Sequence, residues 1–227
     1  MLTFTHDNGE FTLDVQRVAI AGWAGRDQAG VQHHIDELKL LGVAPPSQTP
    51  LFYRVTRETL TQASQVAMLG GEGSGEVETC LVSDAAGTLW VTIASDHTDR
   101  KLEAVGVAES KQLCAKPIAR HARKLSEVID HWDSLEIESE IEEAGKTVRY
   151  QQGTLAELLP VATLMERLPA GIAKDGSLAP DSVLLCGTVP AIGGIRPSPS
   201  FTMRLIDPQT GRRIEHRYEV EELEVVA

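Results

Sequence analysis

The sequence predicts a strand-rich α+β fold in one domain over residues 1–227, with a few peripheral helices. Three observations predict it. Short apolar runs bounded by turn residues recur along the whole chain, as in LFYRV, LWVTIA and SVLLCG. Helical spacing is confined to a few stretches. No repeat, low-complexity segment or linker divides the chain, and a hydrophobic content of 42% suffices for a buried core.

The elements follow in order. The opening residues alternate polar and apolar around Asp7-Asn8-Gly9, which predicts a hairpin, and residues 15–21 continue as strand. Ile35, Leu38 and Leu41 share one face of a short helix over 31–41. Pro45, Pro46 and Pro50 then enforce an extended connection into the strand LFYRV at 51–55. A glycine-rich loop at 70–75 leads into EVETCLV, a turn at 83–87 and the return strand at 89–94.

Leu125, Val128, Ile129 and Trp132 have helical spacing. The acidic run 136–143 reads either as a solvated strand or as a charged helix end. Thr154 and Glu157 form a capping-box pattern that predicts a second helix through Leu168. Residues 182–187, 201–206 and 218–226 read as strands.

Composition excludes several functions. The formal net charge is −12, and no basic stripe exists to replace phosphate counterions, so nucleic acid is not an expected partner. No apolar run is long enough to span a membrane, and the first residues lack a signal-peptide pattern. Cys80, Cys114 and Cys186 are scattered and form no CxxC pair, which fits a reducing, cytoplasmic setting.

The chemistry concentrates around Glu76 and Glu78. Residues two apart on a strand point to one face, so these carboxylates repel unless a cation or a proton intervenes. Asp96, in SDHTDR, can add a third carboxylate from a neighbouring strand. Three oxygens without a thiol suit a hard divalent cation, with Mg2+ expected first and Mn2+ or Ca2+ served by the same donors. His34 and Glu37 lie three apart on the helix, as an oriented general base or as a surface ion pair; His33 is the alternative partner. Lys111 near a metal would stabilise an oxyanion, and Lys116 is equally placed by composition. Gly187 and Thr188 end an apolar strand, either as a carboxylate-holding turn or as plain turn chemistry. His97 beside Asp96 is a ligand or a turn residue.

The order of these pieces carries more than any one of them. The run GWAGRDQAGVQHHIDE, PLFYRV, EVETCLV, SDHTDR, ESKQLCAKP, YQQGTLAELL, LAPDSVLLCGTVPAIGG resembles the fumarylacetoacetate hydrolase superfamily in its catalytic domain, over roughly residues 22–194. The resemblance implies that superfamily's mixed β-sandwich roll. It implies metal ligands at Glu76, Glu78 and Asp96, and an acid–base pair at His34 and Glu37. It also implies an active-site lysine at Lys111 and substrate contacts at Arg54, Gly187 and Thr188. The implied activity is divalent-metal-dependent hydrolysis of a C–C bond in a 2-oxo or 1,3-dicarbonyl acid, through a metal-stabilised enolate. Decarboxylation, hydration or isomerisation of a 2-oxo acid is the alternative, and a non-catalytic metal- and carboxylate-binding relative is another. A small oxo-acid substrate and a homodimer are implied with it. Two departures bear on the pocket. Only a hairpin's length of chain separates Glu78 from Asp96, where members usually place a helix, and serine precedes Asp96 where they have asparagine.

Overall fold

In the computed structural model the described residues are 1–40 and 45–226, and the side chains of His34, Glu37, Leu38 and Leu40 lie outside the description. Two sheets dominate. The first has six strands in the order Arg123–Lys124, Leu89–Ser95, Val77–Ser83, Ser182–Leu185, Arg17–Gly22, Leu51–Val55. Ser182–Leu185 runs parallel to Arg17–Gly22 and antiparallel to Val77–Ser83. The second has five, in the order Lys146–Thr154, Glu136–Glu143, Ser200–Asp207, Arg212–Leu223, Gln65–Leu69, and its last pair is parallel.

The sheets pack face to face. Leu81, Val91, Ile93 and Leu184 of the first meet Ile137, Met203, Leu205 and Ile214 of the second in one buried cluster. The other face of the six-stranded sheet buries Ile20, Cys80, Val82 and Leu185 beneath Phe4 and Leu13 of the N-terminal hairpin, Leu2–His6 with Gly9–Leu13. Val77–Ser83 is therefore covered on both faces, and every one of its residues is buried. A carboxylate on this strand cannot be a solvated edge residue.

Several sequence expectations are refined. The first helix, α1, spans Gln28–Leu40. The acidic run is the strand Glu136–Glu143, with Ile137, Ser139 and Ile141 turned inward and its glutamates answered across the strands, Glu140 by Arg204 at 2.8 Å. The helical spacing after Lys124 resolves into two 3-10 segments, Leu125–Glu127 and Ile129–Ser134. Two further helices were not read from the sequence: α2 at Arg100–Glu103 and α3 at Val107–Leu113. The capping box at Thr154 is real but opens only the 3-10 turn Leu155–Glu157. Pro160 lacks the N–H that would continue it, and the helix restarts as α4 at Val161–Glu166. The last strand begins at Arg212, well before the predicted 218.

Candidate metal centre and its surroundings

The hairpin Val77–Ser83 with Leu89–Ser95 builds the site. Its turn is closed by Asp84, whose Oδ1 accepts from the Ala86 and Thr88 N–H groups at 2.9 Å. The register pairs Val77 with Ser95 and Glu78 with Ala94. One step further, Asp96 N–H donates to the Glu76 carbonyl at 2.9 Å, so these two residues face each other across the open end. Alternation then sends the side chains of Glu76, Glu78 and Asp96 to the same face. Their carboxylate oxygens lie within 4.8 Å of one another. Glu78 is 3% and Asp96 0% exposed, so bulk water does not screen them.

Cationic groups surround the three acids. Lys111, from α3, is hydrogen-bonded to Asp96 Oδ2. Lys116 Nζ lies 3.2 Å from Asp96 Oδ1 and also bonds the His97 carbonyl. Arg100 Nη2 lies 3.2 Å from Glu76 Oε1. Local structure aims each group. The Asp99 carboxylate accepts from Leu102 N–H at 2.8 Å and caps α2, which carries Arg100. Arg100 Nε donates to Ser74 Oγ at 2.7 Å. Gln112 Oε1 accepts from Thr56 N–H at 2.8 Å and docks α3 on the end of Leu51–Val55.

The electrostatics separate the carboxylates. Burial opposes ionisation of Asp96, but Lys111 and Lys116 overcome it and hold its carboxyl at about 2. Burial first, then the charge of Asp96, pushes Glu78 well above the ordinary carboxylate range. Burial would neutralise Lys111, but Asp96 and Glu76 hold its ammonium form above the usual lysine range. Glu78 is an acid with too much negative charge beside it, held by Gly187 N–H, which donates to its Oε2 at 2.7 Å. A divalent cation would supply the missing charge. The donor set of three carboxylates, converging and free of sulfur, fits Mg2+, Mn2+ or Ca2+.

Gly187 and Thr188 have structural work. Gly187 has φ 102°, and a Cβ there would come within 2.8 Å of Ala24 Cβ, so glycine is required to bring its N–H onto Glu78. Thr188 Oγ1 donates to the Val77 carbonyl at 2.6 Å and accepts from Gln151 Nε2 at 2.7 Å. Gln151 Oε1 accepts from Val77 N–H at 2.9 Å, tying the second sheet to the Glu-x-Glu strand.

Arg54 is placed differently from its expected role as a substrate contact. It pairs with Ala19 on the face that carries Phe52, it is exposed, and its Nε donates to the Val18 carbonyl at 3.1 Å. Its neighbour Tyr53 takes the site-facing position, with its ring centre 5.6 Å from Lys111 Nζ. His34 and Glu37 fall on α1, but their side chains lie outside the described residues. His33 is exposed on α1. The His97 ring is buried and turned from the triad, its Nδ1 bonded to Tyr218 Oη at 3.0 Å. Tyr53, Arg100 and Gln151 carried no spacing signal in the sequence, and Lys116 was indistinguishable from a surface lysine.

A family profile described as a protein of unknown function, DUF2848, matches residues 21–218 and so takes in the whole site. The chain belongs to the DUF2848 family. No curated protein matches the chain. Solved structures do. Cg1458 is 17% identical with a TM-score of 0.68, covering 93% of this chain and 78% of that one. The 2-keto-3-deoxy-D-arabinonate dehydratase complexed with magnesium and 2,5-dioxopentanoate is 16% identical with a TM-score of 0.61, covering 93% and 75%. The 4-oxalocrotonate decarboxylase from Pseudomonas putida G7, complexed with calcium and acetate, is 14% identical with a TM-score of 0.57, covering 93% and 78%. These likenesses show the fold of this DUF2848 chain, and it is the fumarylacetoacetate hydrolase-like fold that the motif order implied. Among the described residues no helix is long and apolar enough to cross a membrane.

Proposed function

We propose that the chain is a divalent-metal-dependent enzyme acting on a 2-oxo acid, and that its reaction is of the lyase type, with decarboxylation of a 2-oxo dicarboxylate as the specific reading. The observation that carries it is the convergence of Lys111, Lys116 and Arg100 on three carboxylates at one buried hairpin end. Glu76, Glu78 and Asp96 would hold the cation. When bound, it supplies positive charge where negative charge develops on the oxygens of the substrate. The Lys111 ammonium adds to that field, and Asp96 keeps it charged and pointed inward. The surrounding burial lowers the local dielectric and strengthens each of these terms. In decarboxylation the bond to the departing carboxylate breaks and its electron pair passes to the 2-oxo oxygen as an enolate. Carbon dioxide leaves, and a proton returns to carbon. An electron sink is the main requirement, and these residues provide it. The similar dehydratase and decarboxylase folds support this class.

Hydrolytic C–C cleavage, the first expectation from the sequence, also needs a base that activates water. That second reading is carried by the His34-x-x-Glu37 spacing on α1. Incubation with oxaloacetate and with an acylpyruvate, at millimolar Mg2+ and in 18O-water, tests both. Carbon dioxide release above the protein-free rate, with no 18O entering a carboxyl group of the product, supports the lyase. Two carboxylic acids, with 18O in the carboxyl group newly formed on the acyl-derived one, support the hydrolase. Turnover of neither, or turnover that survives in Glu78→Gln, would overturn the enzyme reading at this site.

A further inference from the structure

The chain carries a net charge of −12, yet a cleft separate from the metal centre gathers positive charge. Its volume is about 670 Å3, and none of its lining residues belongs to the triad or to the cations around it. One wall is the segment that follows Lys116–Pro117, where Arg120 and His121 lie beside Thr5 of the N-terminal hairpin. The other wall is the strand Arg212–Leu223, with His216 and Arg217. Residues 62–65 join the two. Gln62 Nε2 donates to the Thr3 carbonyl at 2.9 Å, and the Ser64 carbonyl accepts from Glu219 N–H at 2.8 Å.

The positive charge is not cancelled from within. Arg120 is exposed, and among the described residues no carboxylate lies within ion-pair distance of it. Arg217 Nη2 reaches Glu219 only at 3.8 Å, with both side chains more than half exposed, so that pair neutralises little. Glu215 also lines the cleft, but its carboxylate is bonded to Arg204. Burial chiefly holds the His216 ring below the ordinary histidine range; the Ala63 carbonyl opposes this, and the Arg120 charge adds to it. The charge on one wall is therefore felt on the other. The backbone adds a donor. Arg212–Leu223 pairs with Gln65–Leu69 only from Glu219 onward. Glu219 N–H points to Ser64, so alternation turns the Arg217 N–H to the same side, beyond the end of the partner strand.

We propose that this cleft is a second ligand site, for the phosphate or carboxylate head group of a small molecule. The guanidinium forks of Arg120 and Arg217 match the oxygens of either group, and the His121 ring and the Arg217 N–H supply further donors. An anion placed here answers charge that the chain itself leaves unanswered. The site shares no residue with the metal centre, so its ligand binds with or without a divalent cation.

Calorimetry in EDTA at low ionic strength tests this with three separate probes: inorganic phosphate, glycerol 3-phosphate and succinate. At least one is expected to bind saturably, with one equivalent per chain. Tighter binding of the two phosphates identifies a phosphate head group, and tighter binding of succinate a carboxylate. Arg120→Gln and Arg217→Gln are each expected to weaken that binding roughly tenfold. Both side chains are exposed, so these variants keep the fold, and a thermal melt checks it. Arg213→Gln removes the same charge from the same strand outside the cleft, and is expected to change affinity by less than about twofold. Absence of saturable binding for all three probes, or equal weakening in all three variants, overturns the anion site. A change of oligomeric state in Arg120→Gln, measured by sedimentation, also overturns it, because the cleft would then be an interface between copies. Each of these results leaves the reading of the metal centre standing.

Discussion

The Lys116 ammonium sits 3.2 Å from the Asp96 carboxylate, and neither side chain reaches solvent. Such a pair is held in place by mutual need. Each charge would be untenable alone in this interior, and removing one partner of a buried pair typically costs about 3–5 kcal/mol. Lys116→Met is therefore expected to destabilise the protein by about 3 kcal/mol, since Lys111 still partially compensates Asp96. Urea unfolding measures it. A loss below about 1 kcal/mol would mean that the pair does not hold the site together.

Glu78 behaves in the opposite sense. Its carboxylate is buried beside Asp96 and Glu76, so without a cation the fold pays for its charge. Glu78→Gln keeps an oxygen for Gly187 N–H and removes the repulsion. The metal-free variant is expected to be as stable as the native protein or more stable, by on the order of 1–2 kcal/mol. Excess Mg2+ should stabilise the native protein by about 2.7 kcal/mol at 100 times its Kd and leave the variant unchanged. Melting curves with and without EDTA and Mg2+ distinguish the two. A variant less stable without metal would contradict the repulsion.

Gly187 couples backbone conformation to the triad. An added methyl meets Ala24 and strains a positive φ, so Gly187→Ala is expected to cost about 1–3 kcal/mol in stability. The shifted N–H would release Glu78 Oε2, and Mg2+ affinity measured by calorimetry should fall with it. Unchanged affinity would show that Glu78 is positioned by other contacts.

The acid limb of stability has a separate origin. Asp207 accepts from Arg123 Nη1 at 2.7 Å, Thr210 Oγ1 at 2.8 Å and Gln209 N–H at 3.0 Å. Burial opposes its charge, but Arg123, Thr210 and His131 hold its carboxyl well below the usual carboxylate range. A carboxyl depressed in the folded state contributes stability that is present above its unfolded value of about 3.9 and lost as pH falls from there towards the folded value. Asp207→Asn should lower stability by about 3 kcal/mol at neutral pH and flatten the decline below pH ~4. Chemical unfolding across an acid pH series checks it, and a decline identical to that of the native protein would assign the acid limb elsewhere.

The legible part of the fold was the part set by local pattern. Leu51–Val55 has the bounds its sequence suggests, and the hairpin that carries Glu78 and Asp96 follows from apolar alternation around a Ser-Asp-Ala-Ala-Gly turn. The second helix was misjudged at Pro160, where backbone chemistry overrides a valid capping box. The strand Gln65–Leu69 went unread because its partner Arg212–Leu223 is distant in sequence, and an edge strand has little hydrophobic signature of its own.

The sequence by itself determined that Glu76 and Glu78 share a face, because strand periodicity is two, and that a short hairpin returns Asp96 beside them. Through the resemblance it also singled out Lys111, but it could not determine that Lys116 and Arg100 join it in answering their charge. Lys111, Lys116 and Arg100 arrive from three separate elements whose orientation is set by long-range docking. At Leu51–Val55 a single step of alternation decided that Tyr53, not Arg54, turns to Lys111. Strand direction is written locally, whereas the face that meets the site depends on register with Arg17–Gly22, and only the folded sheet fixes that.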